Sequence, residues 1–327
     1  MTQSADAGVP QVNPIYSRMV SVAMDVGLNS LSRLGKLHPE SRMIQQGVEV
    51  QRDVPYLPSG DPIHRLDIYR PAGVTGPLPV LLYVHGGGFR ILSKESHWMF
   101  GYGFARQGYL VFNVNYRLAP RYPYPAALED VSAALGWVLD HAEAEGGDLS
   151  RLAYAGESAG ANLILSLMIA GAWPRPEPFA QAVYARDPRP KVVLPACGML
   201  QVSEAERYLS RPELPTWIRS RIAAVCQSYL PEQGGDPDRR ALADPLVFLE
   251  QASLPERPLP AMLAVCGDRD PVADDTRRLG EALKRYPVPS GAPFYPGHHA
   301  FHAFIWQEGA KAAWADQLAF LGQHLSG

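Results

Sequence analysis

The sequence predicts an α/β protein built on a largely parallel sheet with helices on both faces. Three observations predict it. Several short runs are almost wholly apolar, as strands covered on both sides must be: Val80–Val84, Leu110–Asn115, Leu152–Ala155 and Val192–Pro195. Helical patterns fall among and after these runs, near 98–107, 126–144, 159–171, 274–285 and 308–324. Regular alternation of strand and helix is how parallel crossover units read in sequence. The chain of 327 residues, 46% hydrophobic and 19% charged, also suits one large domain with an appended cap better than two independent domains.

Taken in order, the first forty-odd residues carry an apolar helical pattern, Ile15 to Leu34, and no strand character. Closely spaced strand-like runs follow at Val48–Pro55 and Arg65–Tyr69, which suggests an antiparallel start to the sheet. The four apolar runs named above come next, then Met262–Cys266 and Pro293–Tyr295. One segment breaks the later alternation. From about Met199 to Gly235, Trp217, Ile218, Ile222, Val225, Tyr229 and Leu230 recur at helical spacing. This insertion and the N-terminal helical stretch are expected to fold over one end of the sheet as a lid.

The bulk numbers exclude several classes. A net charge of −3 without a Lys/Arg run argues against nucleic acid and anionic membrane surfaces as partners. The longest apolar stretch, around Leu163 to Trp173, is too short to span a bilayer, so no membrane insertion is expected. No basic and apolar leader pattern opens the chain, and a cytoplasmic location is expected. Cys197, Cys226 and Cys266 show no metal-like spacing and read as buried free thiols.

Four distant segments carry chemistry. Gly156-Glu157-Ser158-Ala159-Gly160 follows the strand Leu152–Ala155 and opens a helix. A sharp strand-to-helix turn strains its middle residue and needs small residues two positions to either side, so that the backbones do not collide. Ser158 would then be exposed beside a helix N-terminus, where negative charge is favoured. His85-Gly86-Gly87-Gly88-Phe89 ends the strand before it, and successive glycines let backbone N–H groups face a ligand. Gly86, Gly87 and Ala159 are assigned as donors to an oxyanion. The loop lacks the third spaced glycine of a dinucleotide site and the Lys-Ser/Thr of a P-loop. His85 itself is read as structural.

Cys266-Gly267-Asp268-Arg269-Asp270-Pro271 follows an apolar strand and offers a carboxylate at the same sheet end. Asp270, fixed by the following proline, is preferred over Asp268, while Asp274 suits a helix start. A general base must come from Gly297-His298-His299-Ala300-Phe301-His302. Spacing alone does not choose among the three histidines. His299 is taken first, His302 second and His298 third. A metal site is the other reading of the cluster, but adjacent His298 and His299 would point apart in an extended loop, so no metal is expected. Phe89, Trp98, Trp217 and Tyr229 are expected to line an apolar pocket.

These motifs, with Tyr116-Arg117-Leu118-Ala119-Pro120 and Pro125-Ala126-Ala127-Leu128-Glu129-Asp130, resemble the hormone-sensitive-lipase-like branch of the α/β-hydrolases, the bacterial family IV carboxylesterases. The resemblance covers roughly residues 45–325. It implies an eight-stranded sheet, a helical cap, a Ser158/Asp270/His299 triad, the oxyanion donors Gly86, Gly87 and Ala159, and no cofactor. It also implies small esters of short to medium acyl chains as substrates, and allows a homodimer. The expected division is cap residues 1–45, core 46–198, cap insertion 199–240 and core 241–327. Arg121 stands where the family has an acid, Ala300 where it has glycine, and Glu157 where aspartate is commoner. An amidase or deacetylase with the same triad, and a non-catalytic receptor on the same fold, are the rival readings. An epoxide hydrolase or dehalogenase would need an aspartate at Ser158.

Overall fold

A computed structural model describes residues 14–231 and 237–325. The strands are β1 (Val48–Pro55), β2 (Arg65–Pro71), β3 (Leu78–Val84), β4 (Leu110–Val114), β5 (Gly147–Glu157), β6 (Val192–Ala196), β7 (Ala261–Leu263), β8 (Cys266–Gly267), β9 (Ser290–Gly291) and β10 (Phe294–Tyr295). Eight of them form one sheet in the order β1-β2-β4-β3-β5-β6-β7-β9. β1 pairs with β2, and β2 with β4, antiparallel; every other pair is parallel. β8 and β10 pair in parallel just beyond the ends of β7 and β9.

The pleat sorts the apolar side chains. Val80, Leu82 and Val84 of β3 join the core on one face, and Leu81 and Tyr83 join that on the other. The helices Ala126–His141 and Ala159–Ala172 cover the first face, and Trp98–Arg106 and Glu308–Leu325 the second. All fourteen residues of Ala159–Ala172 are buried, which suits a helix apolar on every side.

The architecture is the one expected, with differences in detail. β5 starts earlier than Leu152, because Leu78 and Pro79 pair with Gly147 and Asp148 across an irregularity in the register. The expected last strand, Pro293–Tyr295, is two short pieces flanking Pro293, which has no N–H for a ladder. The helices Pro178–Arg186 and Pro245–Gln251 were not expected.

Two helices clamp the turn that follows β3. From Pro14–Gly35, Asp25 Oδ1 accepts from Leu92 N–H at 2.9 Å and Ser32 Oγ donates to Ser96 O at 2.8 Å. From Thr216–Tyr229, Ala224 O accepts from Arg90 Nη1 at 3.2 Å. The expected cap ranges also include residues 1–13 and 232–236, which lie outside the described residues. Among the described residues no helix is long and apolar enough to cross a membrane.

Candidate active site

Parallel strands end in loops on one side, and four such loops converge. Ser158 sits between β5 and the helix Ala159–Ala172 at φ 55°, ψ −112°, a strained conformation for any residue with a side chain. Its N–H donates to Ala196 O at 2.8 Å. The glycines around it are steric requirements: a β-carbon on Gly156 would lie 2.7 Å from the Gly160 carbonyl group.

His299 bridges two of the loops. Its Nε2 lies 2.9 Å from Ser158 Oγ, and its Nδ1 lies 2.9 and 3.0 Å from the two carboxylate oxygens of Asp270. Asp270 is buried and also accepts from Val272 N–H at 2.9 Å. Burial opposes the charge on both groups. The Asp270 charge and hydrogen bond, with Glu157 beyond, outweigh it and raise His299 to about 9. Asp270 is in turn held below its ordinary value, against burial, by His299, Val272 N–H and the Cys197 thiol.

The competing residues have other partners. Asp268 accepts from Gly297 N–H at 3.0 Å and braces the histidine loop. Asp274 pairs with Arg211 and Arg277. His298 points outward. His302 lies beneath the site against Phe100 and Phe301, and burial lowers it to about 4. Cys197 Sγ, Asp270 and His299 come within 4.8 Å of one another. Burial, reinforced by Cys266 and the Asp270 charge, pushes the Cys197 thiol well up. The trio thus extends the Asp270–His299 hydrogen bonding.

The glycine turn requires one correction. Gly86 N–H is aimed at His97 Nε2, 3.3 Å away, and not into the site. The N–H groups of Gly87 and Gly88 meet no acceptor among the described residues, nor does that of Ala159 at the start of its helix. The Gly88 N–H, which the sequence reading did not name, is thus as open to an acceptor as that of Gly87. Gly87 adopts φ 110°, and a β-carbon there would strike Ile91 O at 2.0 Å. His85 is structural as read: it stacks on Tyr116 at 4.3 Å, and burial lowers it to about 3. Tyr116 OH donates to His85 O, and Ala119 N–H to Phe89 O, so the Tyr116–Pro120 motif supports the turn. Arg117 holds Asp130 and Glu129, and Arg121 lies over Tyr122.

Residues 81–305 match a family model described as the alpha/beta hydrolase fold. The chain belongs to the α/β-hydrolase family. Esterase LipI of Mycobacterium tuberculosis is 31% identical over 302 residues, covering 86% of this chain and 84% of that protein. A shorter stretch of 139 residues is 37% identical to carboxylesterase NlhH of the same organism, covering 42% of this chain and 40% of that one. Among solved structures, esterase LipW from Mycobacterium marinum superposes with a TM-score of 0.74 at 24% identity, covering 98% of both chains. The carboxylesterase EstE1, cloned from a metagenomic library, gives 0.71 at 26% identity, covering 94% of this chain and 98% of that one. The family expected from the sequence motifs is borne out.

Within this α/β-hydrolase the four residues expected to line a pocket have different surroundings. Phe89 and Tyr229 are fully buried and stack on each other at 3.6 Å, tying the turn after β3 to the helix above. Trp98 is buried on the other face of the sheet and donates to Ser32 Oγ at 2.9 Å, anchoring the N-terminal helix. Trp217 is 70% exposed at the start of its helix.

Proposed function

We propose that the chain is a serine carboxylesterase that cleaves small esters by an acyl-enzyme route. The observation that carries the reading is the position of His299, within hydrogen-bond distance of Ser158 Oγ on one side and Asp270 on the other. The names of the relatives, esterase and carboxylesterase, support the same class.

In this mechanism Ser158 Oγ attacks the ester carbonyl carbon as its proton passes to His299 Nε2. Asp270 accepts Nδ1–H, fixes the tautomer and stabilises the imidazolium. The carbonyl oxygen becomes an oxyanion facing the N–H groups of Gly87, Gly88 and Ala159; loss of one such donor costs ~10²–10³ in kcat. The tetrahedral adduct collapses, its C–O bond breaks, and His299 returns the proton to the leaving alcohol. Water then repeats the sequence on the acyl-enzyme, releasing the acid and restoring Ser158.

The helices Pro14–Gly35 and Thr216–Tyr229 act as the cap. Their hold on the turn after β3, with Phe89 and Tyr229 closed against each other, supports acyl chains of short to medium length.

The test is hydrolysis of p-nitrophenyl acetate, butyrate, octanoate and palmitate by the wild type, Ser158→Ala and His299→Ala, with an acetanilide beside the acetate. The expected result is turnover on the short esters, lost by several powers of ten in both variants. Turnover of the anilide alone would make the chain an amidase. A stoichiometric burst without turnover would make it a receptor.

A further inference from the structure

Between the glycine turn and the serine turn lies a buried pair that the triad does not use. His97 Nε2 is 3.1 Å from Glu157 Oε2 and 3.3 Å from Gly86 N. Its Nδ1 faces Ser93 O at 3.2 Å and Ser96 Oγ at 3.0 Å. Its ring leans on Tyr83, His85 and Phe100. Glu157, immediately before the serine, turns its other oxygen toward His299 Nε2 at 4.0 Å. Gly86 fits so closely that a β-carbon there would lie 2.8 Å from both Glu157 O and Oε1.

We propose that Glu157 and His97 are positioning residues of the esterase site. Glu157 sets the proton affinity of His299 from the side opposite Asp270, and His97 holds the Glu157 carboxylate. This rests on the reading of Ser158 and His299 as nucleophile and base.

The argument is electrostatic and geometric. His299 becomes an imidazolium when Ser158 gives up its proton, and the new N–H is on Nε2. Asp270 lies on the Nδ1 side, so among the described residues only Glu157 puts a carboxylate near the developing charge at Nε2. A carboxylate this deeply buried would by itself take up a proton. The hydrogen bond and charge of His97, with His299 and His302 farther off, outweigh burial and hold Glu157 down at about 2. The Tyr83 and Tyr116 phenols and the Cys197 thiol also face Glu157, and burial keeps all three neutral. Asp270, Glu157, Cys197, Cys266 and His302 are the titratable groups that face His299. The His97 ring thus sits between the two turns, with Nε2 3.3 Å from Gly86 N as it holds Glu157.

Two measurements test this. The first is the pH dependence of kcat/KM on p-nitrophenyl butyrate for the wild type, Glu157→Gln, Glu157→Asp, His97→Gln and His97→Leu. The second is an NMR titration of the His299 ring nitrogens in the same proteins, which needs no turnover. Removing a negative charge near His299 lowers its proton affinity. In Glu157→Gln the acid limb and the NMR midpoint are therefore expected to move down by about one pH unit. kcat is expected to fall roughly tenfold with KM little changed, the mark of an interaction made in the transition state. Glu157→Asp keeps the charge and is expected to hold the limb near its wild-type position. His97→Gln keeps a donor for the Glu157 carboxylate and is expected to stay close to wild type, whereas His97→Leu loses activity. If Glu157→Gln leaves both midpoints in place, the proposal is wrong even while the wild type turns over ester. If His97→Gln is as damaged as His97→Leu, the bracing role is wrong. Should the wild type cleave no ester, the functional reading falls and the NMR midpoint alone decides this one.

Discussion

Gly160 packs against Val84 so tightly that a β-carbon at 160 would lie 2.0 Å from the Val84 carbonyl oxygen. The serine turn is seated directly on the end of β3 by this contact. Gly160→Ala must push the helix Ala159–Ala172 off the strand or break the turn. The expected cost is about 3 kcal/mol, near the upper end for overpacking, with loss of esterase activity at temperatures where the fold survives. Urea unfolding beside a rate assay checks both; an unchanged midpoint would show that the helix can slide freely.

In the proposed mechanism His299 acts as a base only when neutral, and Asp270 and Glu157 favour its charged form. kcat/KM is therefore expected to rise with pH above the ordinary histidine value of 6.5 and to level off toward about 9. Asp270→Asn removes the largest favourable cause. Its limb should move to lower pH, and kcat should drop by ~10⁴ through loss of the tautomer. The fold gains stability from the raised group below its unfolded value near 6.5, and that gain is lost as pH rises through the folded value. A pH–rate profile corrected for spontaneous hydrolysis decides the matter, and a limb at or below 6.5 would contradict it.

Ala300 adopts φ 56°, ψ 26°, a left-handed conformation that favours glycine. Ala300→Gly is expected to raise unfolding free energy by about 1 kcal/mol, the strain an L-residue carries there. Chemical denaturation measures it, and a destabilised variant would show that the alanine methyl group contributes packing worth more than the strain.

Trp98 and Trp217 look alike in sequence and differ in burial. Trp98→Ala should cost about 3–5 kcal/mol and loosen the N-terminal helix, whose Ser32 it contacts. Trp217→Ala, at 70% exposure, should stay within about 0.5 kcal/mol of wild type. Thermal melts of the two proteins make the comparison.

The legible parts of the chain were those where chemistry restricts residue type. β3 to β6 announced themselves because strands covered on both faces must be apolar throughout. Ser158, Asp270 and His299 came from motifs whose glycines and proline have steric reasons to be there, and the structure brings these three together. The helices Pro178–Arg186 and Pro245–Gln251 were missed because a proline reads as a breaker although it also opens helices at the first position. The oxyanion donors were misassigned at Gly86 because an N–H direction depends on backbone angles and on His97, which no glycine motif encodes. The stacking of Phe89 on Tyr229 was not legible for a similar reason: the two residues have the same composition whether they line a channel or stack on each other.

The separation of His299 from Ser158, 141 residues along the chain, fixes when activity can arise during synthesis. A nascent chain that has already formed the serine turn lacks His299, the proposed base, until 141 further residues have been added. The final helix, Glu308–Leu325, still has to pack behind the histidine loop, where Trp314 donates to His302 O at 3.0 Å. Stalled or truncated products are therefore expected to be inert toward esters. Recovery of activity on refolding should follow the last tertiary event and lag behind the return of helical circular dichroism.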